Sequence, residues 1–171
     1  MKKIVLIIII AFSFKSFSQS NELNVGVNGG ITVGNLESVS SGAFGVDANY
    51  LFELFNGFSA GPSLNFVYFL TDEVNGFKPD AFMYLPIGAA VRFQSLTDRF
   101  FVGADFGFAI GISPEGDNGG IFFKPMVGYD ITESIKINLF YSGIKKRQPT
   151  YGYAGIGLIF DVFGSSNQYS F

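Results

Sequence analysis

The sequence predicts an all-β fold: an eight-stranded antiparallel up-and-down transmembrane β-barrel. Three observations predict it. Eight segments alternate apolar with small or polar residues, the period at which a strand sends side chains to opposite faces. Each segment is 10–13 residues long. Strands of water-soluble domains run nearer to about 5–6 residues, whereas a tilted strand crosses a bilayer in about 9–11. The connections also alternate in length. The first, third, fifth and seventh hold 7–10 residues, and the second, fourth and sixth hold 3–6. Short turns on one rim and longer loops on the other are the habit of barrels in an outer membrane.

The elements follow in chain order. Met1-Lys2-Lys3 is basic, Ile4 to Phe14 is an apolar run of 11 residues, and Ser16-Phe17-Ser18 places small residues where a signal peptidase reads. The apolar run is shorter than the roughly 20 residues of a spanning helix. Residues 1–18 are therefore expected to be a cleaved signal peptide, with Gln19 leading a single barrel domain over 19–171. With no cysteine in the chain, no lipoprotein anchor, disulfide or thiolate metal site is expected.

The first segment, Leu23–Gly34, sends Leu23, Val25, Val27, Ile31 and Val33 one way and Gly26 and Gly30 the other. In the second, Phe44–Glu53, the aromatic and apolar face opposes Gly45, Asp47 and Glu53. The third, Phe58–Leu70, opposes Phe58, Ala60, Pro62, Leu64, Phe66, Tyr68 and Leu70 to Ser59, Gly61, Ser63 and Asn65. Ala81–Phe93 opposes Met83, Leu85, Ile87, Val91 and Phe93 to Gly88 and Arg92. Phe100–Ile112 opposes its Phe, Val and Ile residues to Gly103, Asp105, Gly107 and Gly111. Ile121–Ile131 carries Lys124, Gly128 and Asp130 on its second face, and Ile135–Ile144 carries Lys136 there. Gly152–Phe163 ends the set with Gly155, Gly157 and Asp161. Pro62, Pro86 and Pro125 each remove a ladder donor, so bulges or register shifts are expected beside them.

Which solvent each face meets follows from what each face carries. The apolar face of all eight segments holds no charged residue, Asn, Gln, Ser or Thr. The other face holds most of the strand glycines and about one charge per strand. A soluble lipocalin-like barrel would need that second face crowded with Lys and Glu, so a soluble periplasmic ligand-binding barrel is the weaker alternative. Small residues suit the interior of an eight-stranded barrel, which is only wide enough for side chains to fill. The oily face is accordingly placed toward lipid, and closure satisfies the backbone groups that lipid cannot.

On these patterns, and on the final strand YGYAGIGLIFDVF, the chain resembles the small eight-stranded outer-membrane β-barrel family, the OmpA/OmpX-type barrels. The resemblance covers the whole mature chain. It implies location in a Gram-negative outer membrane and insertion by the barrel assembly machinery, and it specifies architecture rather than activity. In that family the chain commonly stops at an outward aromatic that the machinery reads. Here Phe163 has inward parity and the chain runs on to Phe171.

Eight charged residues share the inward parity: Asp47, Glu53, Arg92, Asp105, Lys124, Asp130, Lys136 and Asp161. An unpaired buried charge is very costly, so they are expected to form an ion-pair and hydrogen-bond network plugging the lumen. The alternative is a narrow porin-like channel for small solutes. Lys145-Lys146-Arg147 falls in a connection expected on the outer side, where it could meet lipopolysaccharide phosphates through charge-assisted hydrogen bonds.

Other classes fit less well. Without Lys2, Lys3 and Lys15 the mature chain keeps 8 basic against 14 acidic residues, a net charge of −6, which argues against nucleic acid. There is no histidine to serve as a general base, and catalysis is not expected. The acidic loops around Asp72-Glu73 and Glu115-Asp117 match no calcium-loop spacing, and no metal or other cofactor is expected. The glycine pairs sit inside strands with no following helix, so they are not phosphate loops. A monomeric structural or lipid-interacting protein of the outer membrane is the expectation.

Overall fold

The computed structural model describes residues 21–73, 76, 80–95, 99–146 and 150–162. Eight antiparallel strands form it: β1 (Asn21–Gly34), β2 (Ser40–Phe55), β3 (Phe58–Thr71), β4 (Phe82–Gln94), β5 (Phe100–Ser113), β6 (Gly120–Asp130), β7 (Ile135–Lys145) and β8 (Thr150–Asp161). Each strand pairs with its chain neighbours, and β1 also pairs with β8, so the sheet closes on itself without an edge. The expected leader, 1–18, lies outside the described residues, as do Phe163 and Phe171.

The alternating segments became strands because Val, Ile, Phe and Tyr recur at every second position, where branched and aromatic side chains pack on a pleated wall. Most strand boundaries moved by one or two residues. The largest change is at β2, which begins four residues early, at Ser40. The first connection shrinks accordingly to 35–39, and the alternation of loop lengths is weaker than the sequence suggested. The longest connection is 72–81, and the tightest is the two-residue turn 56–57. That turn is Asn56-Gly57, the dipeptide suited to a two-residue hairpin, with Gly57 at φ 76°. Phe55 and Phe58 stack across it at 4.7 Å.

Pro62 and Pro125 do not bring the expected register shifts. The shifts lie between Ser40 and Gly42, Glu53 and Phe55, and Met83 and Tyr84, the last of these two residues from Pro86. Each proline keeps a partner on one side: Pro62 with Ala89, Pro86 with Ala109, Pro125 with Ala104. On the other side the ladder skips the proline and resumes in the same register. In an antiparallel ladder a residue's N–H and C=O address the same neighbour. A missing donor therefore weakens one seam and leaves the other intact.

The apolar parity faces outward on every strand. Val27, Phe44, Leu64, Ile87, Phe106, Val127, Leu139 and Ile156, one from each strand, are all exposed. Within strands, the one exposed charged side chain among the described residues is Lys145, at the last position of β7. Aromatics gather toward the two ends of this band. Near the N-terminal rim lie Phe52, Phe55, Phe93, Phe100, Tyr129 and Phe160. Higher up, Phe44 stacks on Tyr68 at 5.0 Å and Phe123 leans on Tyr141 at 5.8 Å.

Candidate functional site

The lumen is the candidate site, and it is layered. Toward the N-terminal rim, Lys136 Nζ meets Glu22 Oε2 at 2.9 Å, Asn24 donates to Asn49 at 3.1 Å, and Gln94 donates to Asp130 at 2.8 Å. Ile159 and Phe101 pack among them. A cavity of about 30 Å³ remains, lined by Asn24, Asn49, Arg92 and Lys136 among others. It is large enough to hold at least one water molecule.

The middle layer holds two ion pairs. Lys124 Nζ lies 2.7 Å from Asp47 Oδ2, and Arg92 Nη1 lies 2.7 Å from Asp105 Oδ1. Lys124 and Asp105 are both 1 % exposed, so neither pair is screened by water. Asp47 also accepts from Asn28 at 2.9 Å, and Asn28 in turn accepts from the Tyr153 hydroxyl at 2.7 Å. Lys124 further stands 4.7 Å over the Phe140 ring. Buried charge is tolerated here because each ion faces an opposite charge, and Asp47, Lys124 and Arg92 have further polar or π contacts.

Glycine makes room for these groups. Arg92 faces Gly103 across the β4–β5 seam, and a Cβ at Gly103 would come within 2.5 Å of Arg92 Cδ. Phe101 faces Gly128 and Asn138 faces Gly157 in the same way. These three inward glycines are therefore the seats of large inward side chains on the neighbouring strand, whereas Gly30 faces Gly155 and Gly88 faces Gly107.

The loop-side layer is aromatic and apolar: Val67, Phe69, Tyr84, Phe122, Phe140, Ile144 and Tyr153, with Leu36 from the β1–β2 connection pressed in from above. Phe69 contacts Tyr84 and Tyr153 edge-on at 6.2 and 5.7 Å. At the mouth, Asp117 of the β5–β6 connection accepts from the Tyr84 hydroxyl at 2.6 Å and pairs with Lys146. Burial alone would raise the Asp117 carboxyl, but donors from Lys146, Tyr84 and the Gly119 amide, with the Lys146 charge, hold it below the ordinary aspartate value.

The eight inward charges identified in the sequence are distributed along the lumen from its N-terminal rim to its middle layer. Asp47 with Lys124 and Arg92 with Asp105 make the middle pairs. Lys136 pairs with Glu22, and Asp130 takes Gln94. Glu53 stands at the rim beside the Gly57 amide, and Asp161 is buried on β8. Lys145 points outward, Lys146 turns inward to Asp117, and Arg147 lies outside the described residues. The sequence reading missed Glu22, Asp117 and Tyr84. Glu22 stands one position before the first alternating segment, on the inward parity. Tyr84 shares parity with Gly88 and Arg92, which was the available signal. Nothing local marks Asp117 as more than a turn residue.

No protein-family model matches the chain, and no curated protein matches its sequence. Solved structures do match in shape. The outer membrane protein Ail of Yersinia pestis in a phospholipid bilayer nanodisc superposes with a TM-score of 0.58 at 15 % identity, covering 82 % of this chain and 98 % of that one. The crystal structure of Ail, the attachment invasion locus protein of the same organism, gives a TM-score of 0.55 at 14 % identity, covering 84 % and 100 %. The fold of this chain is that of the small eight-stranded outer-membrane β-barrels.

Proposed function

We propose that the chain is an integral outer-membrane protein whose lumen is closed by its own side chains, with a structural or lipid-interacting role in the envelope and no catalytic or conducting one. The observation that carries this reading is the continuous apolar exterior. Soluble monomers rarely expose contiguous apolar patches above a few hundred Å², whereas here every strand exposes large apolar side chains. Aromatics toward both ends with aliphatics such as Val27, Leu139 and Ile156 between them match the girdles of a membrane-seated barrel. The similarly folded Ail is an outer membrane protein, which agrees with this seat.

The filled middle layer supports a closed lumen against the narrow-channel alternative, and the inward direction of Asp47 and Lys136 opposes a soluble ligand-binding barrel. Lys145, outward at the loop rim, is a contact for lipopolysaccharide phosphates in this reading. The test is twofold. The purified chain folded in detergent should show a heat-dependent shift in gel mobility and should fractionate with outer membranes. In planar bilayers it should give no steady single-channel current. A protein released by osmotic shock without detergent, or a stable conductance, overturns the proposal.

A further inference from the structure

The loop-side mouth brings together two tyrosine rings and a carboxylate around an ammonium group supplied by the chain itself. Tyr84 and Tyr151 have ring centroids 6.3 Å apart with planes at 58°. Lys146 Nζ sits over both, 5.1 Å from the Tyr84 centroid and 4.4 Å from that of Tyr151. Asp117 closes the third side and pairs with the same ammonium. Electron-rich ring faces attract a positive charge without requiring it to donate hydrogen bonds, and a carboxylate adds the counter-charge. These are the elements by which proteins hold organic cations.

The cage is held by contacts other than Lys146. Tyr84 is fully buried and its hydroxyl donates to Asp117 at 2.6 Å. The Gly119 amide donates to the other Asp117 oxygen at 2.8 Å. Tyr151 packs on Phe82 at 5.5 Å. Lys146 is differently placed. It follows the last residue of β7, so its side chain can leave without breaking a strand pair. A groove opens beside the cage, lined by Glu115, Lys145 and the outward Phe108 and Ile121. A ligand thus has a way in, and the displaced lysine has somewhere to go.

We infer that this mouth is a binding site for a small organic ammonium ligand of the choline or alkylammonium class, with Lys146 as a built-in occupant that the ligand displaces. The inference goes beyond the proposed envelope role and stands on different residues. A folded protein without the ammonium site leaves that role untouched.

Titration of the full chain, folded in detergent micelles, with choline chloride tests it, read by tyrosine fluorescence and calorimetry. Wild-type protein should bind choline weakly. Lys146→Met should bind it at least about tenfold more tightly, because a tethered competitor is gone. Adding Asp117→Asn or Tyr151→Leu to that variant should remove the gain, and the neutral carbon isostere of choline should not bind. A folded Lys146→Met protein with no tighter binding than wild type overturns the inference, as does equal binding of the neutral isostere. Should Lys146→Met fail to fold, wild type decides: saturating choline must speed acylation of the Lys146 amine, followed by mass spectrometry. An unchanged rate sinks it.

Discussion

Replacing Lys124 with methionine should expose how the lumen is held. The substitution keeps the length and most of the volume of the side chain and removes only its charge. Lys124 Nζ lies 2.7 Å from Asp47 Oδ2. At an effective dielectric of about 20 the attraction is about 6 kcal/mol, most of it offset by the desolvation of both ions. The net value of the pair against an apolar pair is thus near zero. Loss of one partner is different, because Asp47 stays buried with a neutral donor, Asn28, in place of a counter-charge. That situation typically costs about 3–5 kcal/mol. Lys124→Met alone should lose that much in urea unfolding of the detergent-folded barrel. Adding Asp47→Asn, which keeps the acceptor for Asn28 and removes the stranded charge, should restore about 2 kcal/mol or more. A single variant within about 1 kcal/mol of wild type, or a double variant no more stable than the single, would refute the reasoning.

Three further perturbations separate the other claims. Leu139→Arg places a cation in the middle of the exterior and should destabilise the membrane-folded protein by about 2–4 kcal/mol; a negligible effect in lipid vesicles would mean that water, not lipid, meets this face. Gly103→Val should cost about 1–3 kcal/mol or more by driving into Arg92 and the Val91 carbonyl, while Gly29→Ala, whose added Cβ meets only Ala43 O at 3.7 Å, should stay within about 0.5 kcal/mol. Equal costs in the two glycine variants would contradict the seating of Arg92 on Gly103. The Asp117 latch should be acid-labile. Its carboxyl is lowered in the folded state, so its contribution is complete above the unfolded aspartate value and disappears as pH falls through the lower folded one. Near-UV dichroism of the tyrosines should follow that loss, and Asp117→Asn should abolish the pH dependence.

Much of the architecture was legible in the sequence because parity is local. A strand needs no knowledge of its neighbours to decide which side chains share a face, so the outward Phe, Ile and Leu set and the inward Asp47, Lys124 and Lys136 could be read directly. The prolines misled because their effect depends on which neighbour the lost donor addressed, and only the paired sheet supplies that. The aromatic layer was underweighted for a related reason. Phe69, Tyr84, Phe122 and Phe140 sit on the same parity as the glycines and charges, and their stacking into one plug depends on four different strands.

The sequence by itself determined the number of strands, the face turned outward and the set of groups enclosed, because hydrophobic periodicity and chain length act within each segment. Only the tertiary structure decided which enclosed groups meet. Lys124 is directly opposite Asp105 in the ladder yet bonds Asp47, 77 positions away in the chain, and Lys146 folds inward onto Asp117 rather than outward. Closure of a staggered sheet sets those distances, and a linear pattern carries no record of the stagger.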